Sequence, residues 1–204
     1  MIGRKKFSPF ITVSREAGSG GKLIAARLAK RLGFKLYDEQ LVDLVAKSAK
    51  QRKRVIAKLD ERERTIVDDV VHRLLNPEYV SAQTYVDSLC QVIGALALQG
   101  KAVILGRASN FLTSRKQGLH VRVVAPYLVR VGYTMKHEKR NEREARYRVR
   151  KFDRGRKEFA RQYFYKDPSN TNYYDLVVNT ELVTIDQAVE AIGEAFRQKF
   201  GTKV

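Results

Sequence analysis

The chain has 204 residues, 44% of them hydrophobic, which is enough to bury the core of one domain, and no apolar run reaches the roughly 18 residues of a membrane-spanning helix. Forty Lys and Arg against 22 Asp and Glu give a net charge of +18, which favours polyanions as partners: nucleotides, nucleic acid or anionic lipid. The single cysteine, Cys90, allows no internal disulfide, and the apolar stretch 10–13 is too short for a secretory leader, so a cytoplasmic location is expected.

Short apolar strands alternate with amphipathic helices along the chain. Residues 10–13 are β-prone and run into Gly18-Ser19-Gly20-Gly21. A helical pattern follows over 22–32, where Ile24, Leu28 and Leu32 recur every four residues and Gly33 takes the stop position. Residues 35–37 give a brief second strand, and helical patterns run over 39–48 and 61–75. Asn76-Pro77 opens another helix, with Ala82, Val86, Leu89, Ile93 and Leu96 on one stripe and Gly100 at its end. Residues 102–105 are apolar throughout and read as a buried strand; 120–124 and 176–178 are the fourth and fifth. Thr184 and Gln187 form a capping box for a last helix that turns Ile185, Ala188, Val189, Ile192 and Phe196 inward. Strands separated by helices predict an α/β fold, a five-stranded parallel sheet flanked by helices, in one domain over 1–204.

Such sheets bind ligands beyond the carboxyl ends of their strands. The first of these ends carries Ser14-Arg15-Glu16-Ala17-Gly18-Ser19-Gly20-Gly21-Lys22. A glycine-rich turn between strand and helix directs successive backbone N–H groups at an anion, with the helix dipole behind them. A standard phosphate-binding loop ends Gly-Lys-Ser/Thr. Here Gly21 stands where the lysine belongs and Leu23 where the magnesium-binding hydroxyl belongs. The basic surplus is concentrated at 136–166, with 13 Lys and Arg against 5 Asp and Glu, and secondarily at 47–64, with 8 against 3.

The run 11–22 resembles the variant P-loop of the cytidylate kinase-like family, with its Ser-Arg-x-x-Gly-Ser-Gly-Gly-Arg/Lys pattern. Further likenesses follow in order: Tyr37-Asp38, Gly106-Arg107-Ala108, Ala125-Pro126 with Arg130, Asp153-x-x-Arg156, and Tyr174-Asp175-Leu176-Val177-Val178-Asn179-Thr180. Together they cover about residues 10–195 and imply a P-loop NTPase fold with a helical basic lid at 136–166.

The resemblance implies Mg²⁺-dependent phosphoryl transfer from ATP to a nucleoside monophosphate, CMP or dCMP by family name. Gly18, Ser19, Gly20 and Gly21 would then wrap the ATP phosphates, with Lys22 or Arg15 supplying the missing cation. Asp38 and Arg107 would face the acceptor, Arg107 gripping its phosphate with a bidentate fork. Ser109 and Asn110 would add hydrogen bonds there. Arg130, Arg150, Arg154 and Arg156 are the lid arginines, with Asp153 orienting one of them. Bacterial cytidylate kinases carry an acidic residue where Arg150 stands. Asn179 and Thr180 would line the adenine pocket, and Asp38 or Glu16 would be the acidic partner of the metal. Plainer readings stand beside these: a solvent-facing Lys22, an Arg15–Glu16 ion pair shaping the loop, Asp38 as a helix N-cap, and Asn179 and Thr180 as turn residues. Two further function classes remain. One is a nucleotide-binding regulator with little catalysis, favoured by Gly21 and Leu23. The other is a nucleic-acid-binding module using the basic stretches and the aromatics at 163–174. A homodimer is compatible with the sequence, and no membrane partner is expected.

Overall fold

The computed structural model describes residues 8–38, 40, 42–43, 54–59, 61, 63–64, 67 and 83–201. Five parallel strands, β1 (Phe10–Arg15), β2 (Lys35–Tyr37), β3 (Ala102–Leu105), β4 (Gly118–Val124) and β5 (Leu176–Asn179), form one sheet in the order β2-β3-β1-β4-β5. The helices are α1 (Gly21–Leu32), α2 (Gln83–Gln99), α3 (Ser109–Leu112), α4 (Tyr127–Glu138), α5 (Glu142–Phe164) and α6 (Ile185–Phe200). The expected five-stranded parallel sheet flanked by helices is the fold observed.

The central strands are apolar on both sides because helices cover both faces. Ile11, Val13, Val103, Leu105, Val121 and Val123 pack with α1 and α6 through Ile24, Leu28, Val189, Ile192 and Phe196. Phe10, Ala102 and Ile104 point the other way, into Val86, Leu89, Ile93 and Leu96 of α2. The helix ends follow the expected chemistry. Gly33 closes α1 in the left-handed region, and Thr184 and Gln187 make both bonds of the capping box on α6.

Three strands run longer than the apolar pattern indicates. β1 continues through Ser14 and Arg15 because its backbone still pairs with Arg122 and Val123 of β4. β4 begins at Gly118, which lies beside Phe10 so closely that a side-chain carbon there would sit 2.2 Å from the ring. β5 extends to Asn179, paired with Val124. Ladder pairing, not side-chain polarity, ends each strand. Of the helical patterns at 39–48 and 61–75, only Gln40, Val42, Asp43, Glu61, Glu63, Arg64 and Val67 are described, all helical. The remaining positions of those patterns, the helix start at Asn76-Pro77 and much of the basic stretch 47–64 lie outside the described residues.

The basic segment 136–166 contains the whole of α5, a 23-residue helix. Asn141 and Glu144 form a capping box at its start, and Ala145 and Val149 pack on Val131 of α4. Farther along, Ala160 and Phe164 are buried, Phe164 in the α2-side core. This docking lays the middle of α5 across the carboxyl ends of β1 and β3.

Candidate active site

The turn from β1 into α1 is tight and glycine-dependent. Gly18 and Gly20 have φ of 78° and 77°, and a side-chain carbon on Gly18 would fall 2.3 Å from the Arg130 carbonyl of α4. Glu16 N–H donates to Val123 O, and the Ser19 hydroxyl donates to Glu16 O at 2.9 Å. Ser19 is thus a buried fastener of the turn. The amides of Gly21, Lys22 and Leu23 are the first of α1 and have no carbonyl one turn behind them. An open cleft of about 340 Å³ faces this turn, lined by Gly18, Gly20, Gly21, Lys22, Asp38 and Tyr133 among others. Lys22 is mostly exposed and points to Asp38, 3.9 Å away.

Arg15 explains the glycine at position 21. A side-chain carbon on Gly21 would stand 2.6 Å from Arg15 Cβ, and one on Gly106 would stand 2.0 Å from Arg15 Nη1. The Arg15 side chain therefore fills the space that these two glycines leave, running from the P-loop towards the end of β3. A second cleft of about 530 Å³ lies on that side, lined by Ser14, Arg107, Asn110, Arg122, Lys157 and Ser169 among others. Arg15, Glu16, Phe152 and Arg156 line both clefts.

Positive charge is crowded at this junction. Burial, with the Arg156 and Arg107 guanidiniums nearby, holds the Arg15 pKa well below its ordinary value, against the pull of Asp38. Burial likewise brings Arg156 down to about 10, Arg107, Arg148 and Arg122 adding to the shift and Asp153 opposing it. Both shifts express loss of hydration first and mutual repulsion among the guanidiniums second. Arg107 differs. Burial works against its charge, but hydrogen bonding to Asp43 and the fields of Tyr85 and Asp43 outweigh it, and its pKa ends above the ordinary value. Its Nε donates to Asp43 Oδ1 at 2.7 Å and its Nη2 to Oδ2, while Tyr85 also donates to Oδ1. The Nη1 edge of Arg107 makes no hydrogen bond among the described residues.

The four arginines expected in a lid separate into three groups. Arg130, on α4, is buried and structural in its contacts: Nε donates to Ala125 O at 2.8 Å, and Nη1 to Ala17 O and to Asp153 Oδ2. Arg156 faces the junction, its Nη1 3.4 Å from Arg15 O. Arg150 and Arg154 lie on the opposite side of α5, away from both clefts. Asp153 is a latch: beside its bond to Arg130, its Oδ1 accepts the Ala17 amide at 2.7 Å, tying α5 to the P-loop.

At the far rim, Gly18, Ser19, Tyr133, Thr180 and Ile185 line a smaller groove of about 200 Å³. Thr180 donates to Ser19 O at 2.9 Å, whereas the Asn179 side chain caps the Glu181 amide and shapes the turn. Asp175 sits at the other end of the sheet, where it accepts from the His120 amide and pairs with Arg115 and Lys199.

Glu16 is engaged by Arg122, Arg130 and the Ala125 amide. Among the described residues no three His, Cys, Asp or Glu gather as a metal cage. Mg²⁺ needs no such cage where it binds through phosphate oxygens and one or two carboxylates. Asp38, at the mouth of the P-loop cleft, supplies one carboxylate there, so the residues fit a phosphate-borne Mg²⁺.

Arg122 and Phe152 escaped the sequence reading. Arg122 had a visible signal, a charged residue inside the apolar strand 118–124, two positions after His120 on the same face. Phe152 had none, since its part depends on the path of α5.

Residues 10–182 match the cytidylate kinase-like family. The fold is shared with an uncharacterized protein from Eubacterium ventriosum, 22% identical, at a TM-score of 0.73 over 94% of this chain and 99% of that one. It is also similar to shikimate kinase from Bacteroides thetaiotaomicron, 12% identical, with a TM-score of 0.50 over 95% of this chain and 99% of that one. A curated uronate isomerase from Corynebacterium glutamicum is 30% identical over 105 residues, 51% of this chain. The matching segment makes up one fifth (20%) of that protein.

Proposed function

The chain belongs to the cytidylate kinase-like family of P-loop kinases, and from that premise we propose that it transfers the γ-phosphoryl group of ATP to a nucleoside monophosphate, CMP or dCMP. The observation that carries this reading is the pair of clefts meeting at Arg15 and Arg156. The P-loop cleft offers backbone amides and a helix N-terminus to a triphosphate. The neighbouring cleft offers Arg122, the open edge of Arg107 and Lys157 to a second phosphate. A phosphoryl group passing between them crosses the junction of the two shared guanidiniums.

The acceptor phosphate oxygen attacks the γ-phosphorus, the bond to the β-bridging oxygen breaks, and ADP and a nucleoside diphosphate result. An acceptor that is already a dianion has no proton to lose, so positioning and charge neutralisation supply most of the catalysis. The amides of Gly21 and Lys22, in the turn shaped by Gly18, Ser19 and Gly20, hold the donor. Arg15 delivers from the end of β1 the cation that a standard loop carries on the helix. Arg156 closes the site from α5, Asp153 and Arg130 fix α5 on the loop, and Thr180 borders the adenine groove. Bound Mg²⁺, held by phosphate oxygens and Asp38, would neutralise charge on the transferring group.

The test is a coupled ADP-release assay with Mg-ATP and CMP, dCMP, UMP or AMP. Acceptor-dependent turnover, falling at least 100-fold in Arg156→Ala with folding retained, supports the reading. A second reading, a nucleotide-binding regulator, is favoured by Gly21 and Leu23. It predicts saturable ATP binding with no turnover for any acceptor, and that result would overturn the kinase assignment.

A further inference from the structure

The outer side of α5 carries charge that lies away from both nucleotide clefts, save Lys151, which also borders the larger one. Arg143, Tyr147, Arg150, Lys151 and Arg154 recur at i, i+4, i+7, i+8 and i+11, which places them on one side of the helix. All five line a shallow open groove there, with Arg146 beside them. Residues 148, 152 and 156 face the clefts from the other side.

Two acidic residues, Glu142 and Glu158, stand on the same groove, and most acids near α5 are already paired. Glu142 pairs with Arg146, Glu138 with Arg148, and Asp167 with Lys157 and Arg161. Arg143, Arg150, Lys151 and Arg154 enter no ion pair among the described residues. Arg143 and Arg154 stand about 16 Å apart along the axis at 1.5 Å per residue. Tyr147 is 65% exposed, with the Lys151 ammonium 5.6 Å from its ring centroid.

We propose that this face binds the backbone of a single-stranded nucleic acid, with Tyr147 as a platform for one base. Guanidinium forks match phosphodiester oxygens, and an aromatic ring between cations is how single strands are held without sequence preference. A lipid surface fits less well, because amphipathic membrane helices insert a row of large apolar side chains and this face offers only Tyr147. The partner is distinct from the nucleotide substrate, so the proposal stands or falls independently of the kinase reading.

The test is fluorescence anisotropy of a labelled 12-nucleotide oligouridylate with the full chain, across a salt series, with and without saturating Mg-ATP. Four neutralised phosphates predict a slope of log K against log salt of about −3, from roughly −0.7 per phosphate on a single strand. ATP should leave the binding unchanged. The double variant Arg143→Glu/Arg154→Glu should weaken it at least tenfold, and Tyr147→Ala about fivefold or more. Arg143→Gln/Arg154→Gln replaces the charge reversal if circular dichroism shows that variant unfolded. Displacement of the oligonucleotide by ATP, wild-type affinity in the double variant, or binding to phosphatidylserine vesicles in place of the oligonucleotide would each overturn the proposal.

Discussion

On the proposed kinase reading, Arg15 and Gly21 divide between them what one lysine does in a standard P-loop. The Arg15 side chain lies where a side chain at position 21 would grow, so the two residues exclude each other's alternatives. Gly21→Ala, with its Cβ 2.6 Å from Arg15 Cβ, should displace the guanidinium and cost about 1–3 kcal/mol in overpacking. Kinase activity should fall with it. Urea unfolding beside the ADP assay checks both, and an unaltered melt with unaltered turnover would contradict the packing. The glycines of the turn were legible because a strand–Gly-rich–helix order has few other uses. The identity of the cation was not, since the choice between Lys22 and Arg15 depends on side-chain direction, which spacing does not encode.

His120 is a second residue with a measurable consequence. It is fully buried, its Nδ1 has no hydrogen-bond partner among the described residues, and its Nε2 lies 3.1 Å from the Thr113 hydroxyl. Burial pushes its pKa down to about 4, with Asp175 pulling upward and Lys199 and Arg115 downward. Unfolded histidine takes a proton near pH 6.5, where the folded state does not. The neutral ring therefore contributes full stability above that pH. As the pH falls towards 4 the contribution is lost, up to about 3 kcal/mol. His120→Gln should flatten stability between pH 6.5 and 4 in urea melts, and an unchanged slope would assign the loss elsewhere.

Among the elements, α5 decides how the site is covered. Its start is fixed by the Asn141–Glu144 capping box, a local signal, and its docking by Ala145 and Val149, a periodic one. The Asp153 latch was only half legible. An aspartate three residues before an arginine suggested an orienting role for Asp153, but its partners, Ala17 and Arg130, are 136 and 23 residues away in sequence. Asp153→Ala removes acceptors from the Ala17 amide and from a buried guanidinium, and should cost about 1–3 kcal/mol. Asp153→Asn keeps an oxygen for Ala17 and should cost less. Both should raise the KM for ATP more than they lower kcat, because the latch positions the loop rather than touching the reacting atoms. An unaltered KM in Asp153→Ala would dissociate α5 from nucleotide binding. The strands needed no such long-range knowledge: their apolar runs reveal them, and only their ends, set by ladder partners, lay beyond the sequence.

At the scale of the whole molecule, the charge of +18 has a structural address. Part of it converges on the junction of the two clefts, where burial and mutual repulsion hold Arg15 and Arg156 below their ordinary pKa values. Bound phosphates would relieve that repulsion. A further part lines the outer face of α5, and the charge at 47–64 lies mostly outside the described residues. Ligand binding should therefore raise the melting temperature, by about 2.7 kcal/mol in stability at one hundred times the dissociation constant. High salt should weaken the effect.

The proposed kinase site consists of two phosphate-binding clefts meeting end to end at Arg15 and Arg156. Titration calorimetry with a bisubstrate analogue, adenosine and cytidine joined by five phosphates, measures that arrangement without requiring turnover. The linked compound should bind at least 100-fold more tightly than ATP or CMP alone, and Arg156→Ala should erase most of that advantage. An analogue that binds no more tightly than ATP, with the same affinity in Arg156→Ala, would show that the two clefts do not form one active site.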